Sequence, residues 1–420
     1  MLSIKQINDN IKDVENAIKY KNCDIDLDSI IKLDNKRIEL LQKVESLKHK
    51  RNVFSKEIGQ NVKNKMESTD LIKSMKILSN EIKTYDNQIN KIISEINNKL
   101  LYVPNIFHDS VPLGENSSEN VVINTFGEKP TFDFEPRGHL ELSEKLNILD
   151  FKRSAKISGT GFPLFVNRGA KLERDLINFM INHHVEHNGY IEMSTPFIVS
   201  ENSMITTGQI PKFREDMYFI NEDDLYCIPT AEVPVTNIHK SEILDLKNLP
   251  IKYVAYSPCF RREAGSYGKD TRGLLRVHQF NKVELVKFVH PENSYQELDN
   301  LVNDAKSILD NLKLHYRIIE LCSGDLSFSA SKCFDIEVWS PFENKYLEVA
   351  SCSNFETFQS KRGKIKFRNQ AGKTDFVHTL NGSGLATPRL MVSLLETYQT
   401  KNGSIEFPKS LNKYIGRSIN

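Results

Sequence analysis

The chain is poor in the features that mark disulfide scaffolds, membrane proteins and polybasic proteins. Its 420 residues include six cysteines, at positions 23, 227, 259, 322, 333 and 352. None forms a C-x-x-C pair or a tight Cys/His set, which argues against a disulfide framework and gives no support for a structural zinc. No apolar run reaches the roughly 18 residues that a membrane-spanning helix requires. The first ten residues lack both the apolar segment of a secretory signal and the Arg/Ser-rich, acid-poor character of a transit peptide. A cytoplasmic protein with no membrane partner is therefore expected. Lys and Arg number 56 against 55 Asp and Glu, a formal net charge of +1, so any affinity for nucleic acid has to come from local patches. The single tryptophan, Trp339, reads as packing rather than as a stacking platform. There is no G-x-G-x-x-G or Walker pattern, so a Rossmann or P-loop site is unsupported. No Ser-His-Asp or Cys-His constellation appears.

What is present divides the chain. Proline is absent before Pro104. In that stretch Leu40, Val44, Leu47, Arg51, Phe54 and Ile58 alternate at fours and threes, as do Leu71, Met75, Leu78, Ile82, Tyr85, Ile89, Ile92 and Ile96. Such spacing defines an a/d seam. Residues 59 to 70, with Gly59, Asn61 and a Ser-Thr-Asp cluster able to cap a new helix, separate the two runs. The pattern predicts an antiparallel α-helical coiled-coil arm over residues 1–102, on the order of 45 Å long at ~1.5 Å per residue. Between Lys32 and Lys65 there are ten Lys/Arg and four Asp/Glu, an excess of six. These charges solubilise an exposed rod, and a basic rod is also shaped to follow a phosphate backbone.

Residues 103–160 read as a linker and entry segment, rich in Pro and Gly and with little periodicity. From 161 to 420, helix-like stretches (168–187, 293–313) alternate with β-branched and aromatic runs (216–220, 251–260, 277–288, 334–338, 346–350). Few crossover helices and many turn signals predict an α+β domain on an antiparallel sheet.

The chemistry concentrates in two segments. Residues 260–284 read as two strands joined by a Gly-rich loop. Strand alternation puts Arg261 and Glu263 on one face, and Arg276, Phe280 and Glu284 on one face. That face offers guanidinium forks for phosphate or carboxylate, a ring for a flat base, and carboxylates for amino or hydroxyl groups. The second segment, Leu380 to Arg389, reads as a small-residue turn running into a helix, with Pro388 in its first turn. Met391, Leu394, Leu395 and Tyr398 form its buried stripe, and Arg389 stands at the helix start, where an anion is favoured.

The Arg-rich hairpin resembles motif 2 of class II aminoacyl-tRNA synthetases, and Gly384-Leu385-Ala386-Thr387-Pro388-Arg389 resembles motif 3. More narrowly, Thr230-Ala231-Glu232, Phe260 to Gly265, Arg276-Val277-His278-Gln279-Phe280, Cys322-Ser323-Gly324-Asp325 and Asn381-Gly382-Ser383-Gly384 are similar to the seryl-tRNA synthetase family. The similarity runs in order along the whole chain, from Val103-Pro104-Asn105 and His139-Leu140-Glu141-Leu142 to Gly403-Ser404-Ile405-Glu406-Phe407-Pro408.

The resemblance implies a class II catalytic domain that activates L-serine with ATP and transfers it to tRNA(Ser), leaving open whether selenocysteine tRNA is a second acceptor. It implies that the arm grips the tRNA. Arg261 would bridge the serine carboxylate and the α-phosphate, Arg276 the β/γ end, and Arg389 the γ-phosphate. Glu263 would accept from the adenine amino group and Phe280 would stack on its ring, with Arg262, Val277, Val349 and Ala350 completing the nucleotide site. Glu348 and Ser351 match the family's Mg²⁺ and nucleotide positions. Their three-residue spacing implies a bend near Ala350. Glu284 would bind the serine hydroxyl with Ser383, while Thr230, Ala231 and Glu232, on one strand, would line the amino end. Met193 to Phe197 resembles motif 1, which implies a homodimer.

His278 reads as structural or tRNA-facing, and Asp325 receives no specific task. Lys65-Met66-Glu67-Ser68-Thr69 loosely resembles a class I signature loop, but no His-x-Gly-His segment accompanies it. Two competing readings exist: a class II relative loading an amino acid on a carrier protein, and a non-catalytic RNA-binding dimer. The intact arm disfavours the first, and the presence of Arg261, Glu284 and Arg389 disfavours the second.

Overall fold

A computed structural model of the chain describes residues 1–264 and 272–420. Residues 265–271 of the Gly-rich loop expected after Ala264 lie outside the described residues. The chain separates into two compact units, one of Leu2–Lys19 and Cys23–Val103, the other of Met1, Tyr20–Asn22 and Pro104–Asn420.

The first unit is helical. Helix α1 (Ile4–Asp9) opens with a capping box between Ser3 and Gln6, and α2 (Ile11–Tyr20) buries Val14 and Ala17. Neither short helix is anticipated by the seam pattern. Helix α3 (Leu27–Lys63) starts at the Asp26 cap, whose carboxylate accepts from Ser29 N at 3.0 Å. It packs along α4 (Thr69–Leu100). The seam buries Leu40, Val44, Ile82, Ile89, Ile92 and Ile96. Helix α3 runs through Gly59 to Lys63, so the break is shorter than expected. One exposed glycine costs a helix only about 1 kcal/mol, too little to end one held by a seam. Ser68 stands at the start of α4 as expected but makes no side-chain cap bond.

The second unit is built on an eight-stranded sheet. Its strands are β1 (Val121–Phe126), β2 (Ile191–Glu192), β3 (Ile251–Phe260), β4 (Gln279–Val289), β5 (Tyr316–Glu320), β6 (Lys332–Ser340), β7 (Lys345–Asn354) and β8 (His378–Ala386). They lie in the order β1-β5-β6-β7-β8-β4-β3-β2. Every neighbouring pair is antiparallel except β2 with β3. The segment read as a linker thus supplies an edge strand, β1, whose burial is too slight to give an alternating pattern.

Helices α5 (Asn167–Asn188), α7 (Ser294–Leu312) and α8 (Thr387–Thr397) pack with the sheet around the main core; a short helix, α6 (Glu232–Asn237), lies between α5 and α7 in the chain. Strand β4 shows how the sheet divides its residues. Val283, Leu285 and Val289 enter the main core, while Val286 and Phe288 enter a smaller core with Ala231, Val235 and Phe367. On that second face, nearer the start of β4, lie Phe280, Lys282 and Glu284, which line a cleft instead of a core.

The segment Leu380 to Ala386 forms most of β8 rather than a turn. Its glycines allow close packing: a Cβ on Gly382 would sit 2.9 Å from Cys352 Sγ, and one on Gly384 would sit 3.0 Å from Val283 Cγ1. Pro388 falls in the first turn of α8, as its fixed φ favours.

Candidate active site

The cleft has a volume of about 610 Å³. Its motif 2 side forms where β3 and β4 stop being strands. Arg261 N still donates to His278 O at 2.9 Å, but Arg262 N turns away to Asp216 O at 2.9 Å. Glu263 takes a left-handed φ of 53°. Arg261, Glu263 and Arg276 therefore lie on the flanks beyond the strands, not on strand faces, and reach the cleft because the backbone leaves the ladder there. The Arg261 guanidinium lies 5.1 Å from the Phe280 ring centre, and Arg276 Nη1 donates to Glu263 Oε2 at 2.6 Å. His278 packs over Gly161 and against Phe162, a structural position.

A second cluster occupies the buried wall. Thr230 and Glu232 are not on a strand: Glu232 begins α6, and Thr230 Oγ1 accepts from Glu232 N at 3.1 Å across its first turn. This turn aims both side chains into the cleft, which a strand would have done by alternation. Thr230 Oγ1 donates to Glu284 Oε2 at 2.7 Å, and Asn381 Nδ2 donates to Glu284 Oε1 at 3.0 Å. Lys282 Nζ forms an ion pair with the same Glu284 Oε2. Ser383 faces Glu284 across the β8–β4 pair. Gln359 Nε2 donates to Glu232 Oε1 at 2.6 Å. Burial, then the nearby Glu284 carboxylate, raises the Glu232 pKa to about 7.

The third part comes from β7. Ile336 pairs with Ala350 but Glu337 pairs with Glu348, so Val349 is an extra residue. This β-bulge is the bend that the Glu348–Ser351 spacing requires, and both side chains line the cleft. Arg389, in the first turn of α8, donates from Nη1 to the Glu348 carbonyl at 2.9 Å and contacts its carboxylate at 3.4 Å. Behind them, Asp335 pairs with Ser351 across the sheet. Burial first, then Glu348, raises the Asp335 pKa well above the carboxylate range. Glu348 and Ser351 offer the oxygen donors that Mg²⁺ prefers.

Thirteen of the sequence-predicted residues thus share one cleft: Thr230, Glu232, Arg261, Glu263, Arg276, Val277, Phe280, Glu284, Glu348, Val349, Ser351, Ser383 and Arg389. Three stand elsewhere. Ala231 and Ala350 are buried in the two apolar cores, and Arg262 is exposed, its Nη1 donating to Glu215 O at 3.3 Å. Lys282, Asn381 and Gln359 join the site without having been assigned to it. Lys282 was within reach, since it shares strand parity with Phe280 and Glu284. Gln359 carries no local signal.

Known proteins match this arrangement along the whole chain. Residues 1–107 match the seryl-tRNA synthetase N-terminal domain, and residues 216–398 match the tRNA synthetase class II core domain (G, H, P, S and T). The serine–tRNA ligase of Chloroherpeton thalassium is 52% identical over 425 residues, covering 100% of both chains. The chain belongs to the seryl-tRNA synthetase family. The family's serine–tRNA ligase of Caldicellulosiruptor saccharolyticus is also 52% identical, again over 100% of both chains. Among solved structures, the seryl-tRNA synthetase of Pyrococcus horikoshii complexed with ATP aligns with a TM-score of 0.94 at 35% identity, covering 100% of this chain and 99% of that one. The cytoplasmic enzyme of Naegleria fowleri in complex with AMP aligns at 0.89 with 27% identity, covering 100% and 97%.

Proposed function

We propose that the chain activates L-serine with ATP and transfers it to tRNA(Ser). The observation that carries this reading is the convergence of Arg261, Arg276 and Arg389 with the Glu232–Glu284 wall in one cleft. The serine carboxylate is ionised at neutral pH and attacks the α-phosphate, so a P–O bond forms to the acid and the bond to pyrophosphate breaks. No general base is needed. Alignment and charge neutralisation are.

Arg261, fixed between the Pro229 carbonyl and the Phe280 ring, is suited to span the carboxylate and the α-phosphate with its planar fork. Phe280 stacks on adenine, and Glu263 accepts from its amino group while keeping Arg276 oriented. Arg389 exchanges its contact with Glu348 for the γ-phosphate. Glu348 and Ser351 would hold Mg²⁺, which would supply positive charge to offset that of the phosphates. At the other end Glu232 receives the serine ammonium and Glu284 the hydroxyl. A wall built to pair with a hydroxyl disfavours alanine, whose methyl group would leave it unpaired.

The basic arm is proposed to hold the tRNA, and a homodimer is proposed through the segment after α5. Ile191 on the edge strand β2, and Val185, Phe197 and Ile198 within seven residues of it along the chain, are exposed apolar side chains suited to a partner. Light scattering showing a monomer at micromolar concentration would rule the dimer out.

The decisive experiment has two steps: serine-dependent ATP–pyrophosphate exchange, then charging of total tRNA. Both activities are expected. Exchange without charging would point to another acceptor, and no exchange would remove the proposal.

A further inference from the structure

We infer that Lys282 is a positioning residue for serine selection, acting through Glu284. This inference rests on the assignment of the Glu232–Glu284 wall to serine. Glu284 is 1% exposed and Lys282 6%. A carboxylate has about four lone-pair sites. On Glu284, Oε2 accepts from Thr230 Oγ1 at 2.7 Å and from Lys282 Nζ, and Oε1 accepts from Asn381 Nδ2 at 3.0 Å. One site is left, on Oε1, and Glu284 lines the cleft. A substrate hydroxyl can fill that position only as a donor to an ionised carboxylate.

Two buried carboxyls, Glu232 and Glu284, share this wall, and the charge of Glu284 disfavours that of Glu232. Charge cannot be buried in this way without a counter-charge. Lys282 stands on the same face of β4, one alternation from Glu284, with Ala386 and Ser257 as its cross-strand neighbours. It supplies that positive charge and occupies the Oε2 side, which directs the remaining acceptor position of Glu284 toward Oε1. With Lys282 removed, Glu284 loses the ion-pair partner that holds Oε2 and is free to rotate. It then offers the substrate a misplaced acceptor.

The test is a double-mutant cycle read in ATP–pyrophosphate exchange. E284Q alone should raise the serine KM and shrink the serine-over-alanine preference, which checks the wall assignment itself. K282M should raise the serine KM at least about tenfold with the ATP KM within about twofold, a split expected when one substrate's contacts are lost. K282R, which keeps the charge, should recover most of that loss. K282M/E284Q removes both charges of the pair, and its serine KM should be no higher than that of E284Q alone, since residues acting as one unit are not additive.

If E284Q leaves the serine KM unchanged, the wall does not select serine, and the role of Lys282 falls with it. If E284Q is impaired while K282M behaves as wild type, Lys282 has no such role and the wall assignment stands. A K282M loss that persists in full on top of E284Q would equally overturn action through Glu284. Should K282M fail to fold, the double variant and K282R decide: an Arg variant with the serine KM of E284Q would also overturn the inference.

Discussion

Between residues 45 and 81 the arm contains no buried side chain, whereas the cleft wall holds Glu232, Lys282 and Glu284 at 6%, 6% and 1% exposure. The two units solve opposite problems. The arm keeps its charges in water and gets its form from a narrow apolar seam, so no single lysine is indispensable. The catalytic unit buries charges and must give each a partner: Lys282 and Thr230 for Glu284, Gln359 for Glu232, Glu263 for Arg276. Loss of one partner there strands another. Substitutions should therefore act additively and modestly in the distal arm, and singly and severely in the cleft.

The largest expected effect lies in the cleft. Arg389→Ala should lower ATP–pyrophosphate exchange by ~10³-fold, the scale of losing one preorganised charge donor at a reacting group. The fold should survive, because the Arg389 side chain is 32% exposed and its hydrogen bonds go to Glu348 and the Leu275 carbonyl. Exchange within tenfold of wild type would break the contrast between the units. Next in size is a triple charge reversal in the arm, K48E/K50E/K56E, at three exposed positions of α3. Charging of tRNA should fall ~10²-fold, and the salt dependence of its kcat/KM should flatten by roughly one log–log slope unit per lysine. Exchange should not change. If charging is unaffected, the arm is a spacer and not a grip.

A smaller effect sharpens the comparison through pH. The Glu232 carboxyl, ordinarily near 4.5, is raised to about 7 by burial and then by Glu284. Below pH 7 it is neutral and a poorer partner for an ammonium. The serine KM should accordingly fall about fivefold between pH 6 and pH 7, about a further twofold by pH 8, and level off above. Glu232→Gln should flatten that profile. The same shift acts on stability with the opposite sign: between pH 4.5 and 7 the folded chain keeps a proton that the unfolded chain has released, so this group's contribution weakens as pH rises through that window. A serine KM independent of pH in wild type would remove Glu232 from the ammonium site.

Much of this contrast was legible in the residues. The a/d spacing located the arm's seam, since a period of 3.5 is a local property. Strand alternation brought Phe280 and Glu284 to one face, and the three-residue step from Glu348 to Ser351 required the bulge at Val349. What failed was the local backbone at the site. Arg261 and Glu263 lie past the end of β3, and Thr230 sits in the turn that leads into α6. A left-handed Glu263 and a turn at Thr230 are set by tertiary contacts, which no alternation pattern reports. Gln359 shows the same limit: it meets Glu232 across 127 positions of sequence. The short helix α1 was readable from the Ser3-x-x-Gln6 capping box, which lies well before the first seam residue, Leu40.

The smallest effect is a stabilisation, and it separates the units by sign. Gly59 lies inside α3, is exposed, and a Cβ there would meet nothing within 4 Å. Gly59→Ala should stabilise the distal arm by up to about 1 kcal/mol, because glycine in a helix interior loses more backbone entropy than alanine. Hydrogen exchange of the amides of residues 52–63 measures it directly, and slower exchange is expected. The same change at Gly382 should do the reverse, costing ~1–3 kcal/mol of global stability by overpacking, since its Cβ would lie 2.9 Å from Cys352 Sγ and 3.1 Å from Leu301 Cγ. Faster amide exchange in the Gly59 variant would mean that this glycine serves a bend in the arm. The arm would then depend on a local shape, and the sharp division between a tolerant rod and an intolerant cleft would not hold.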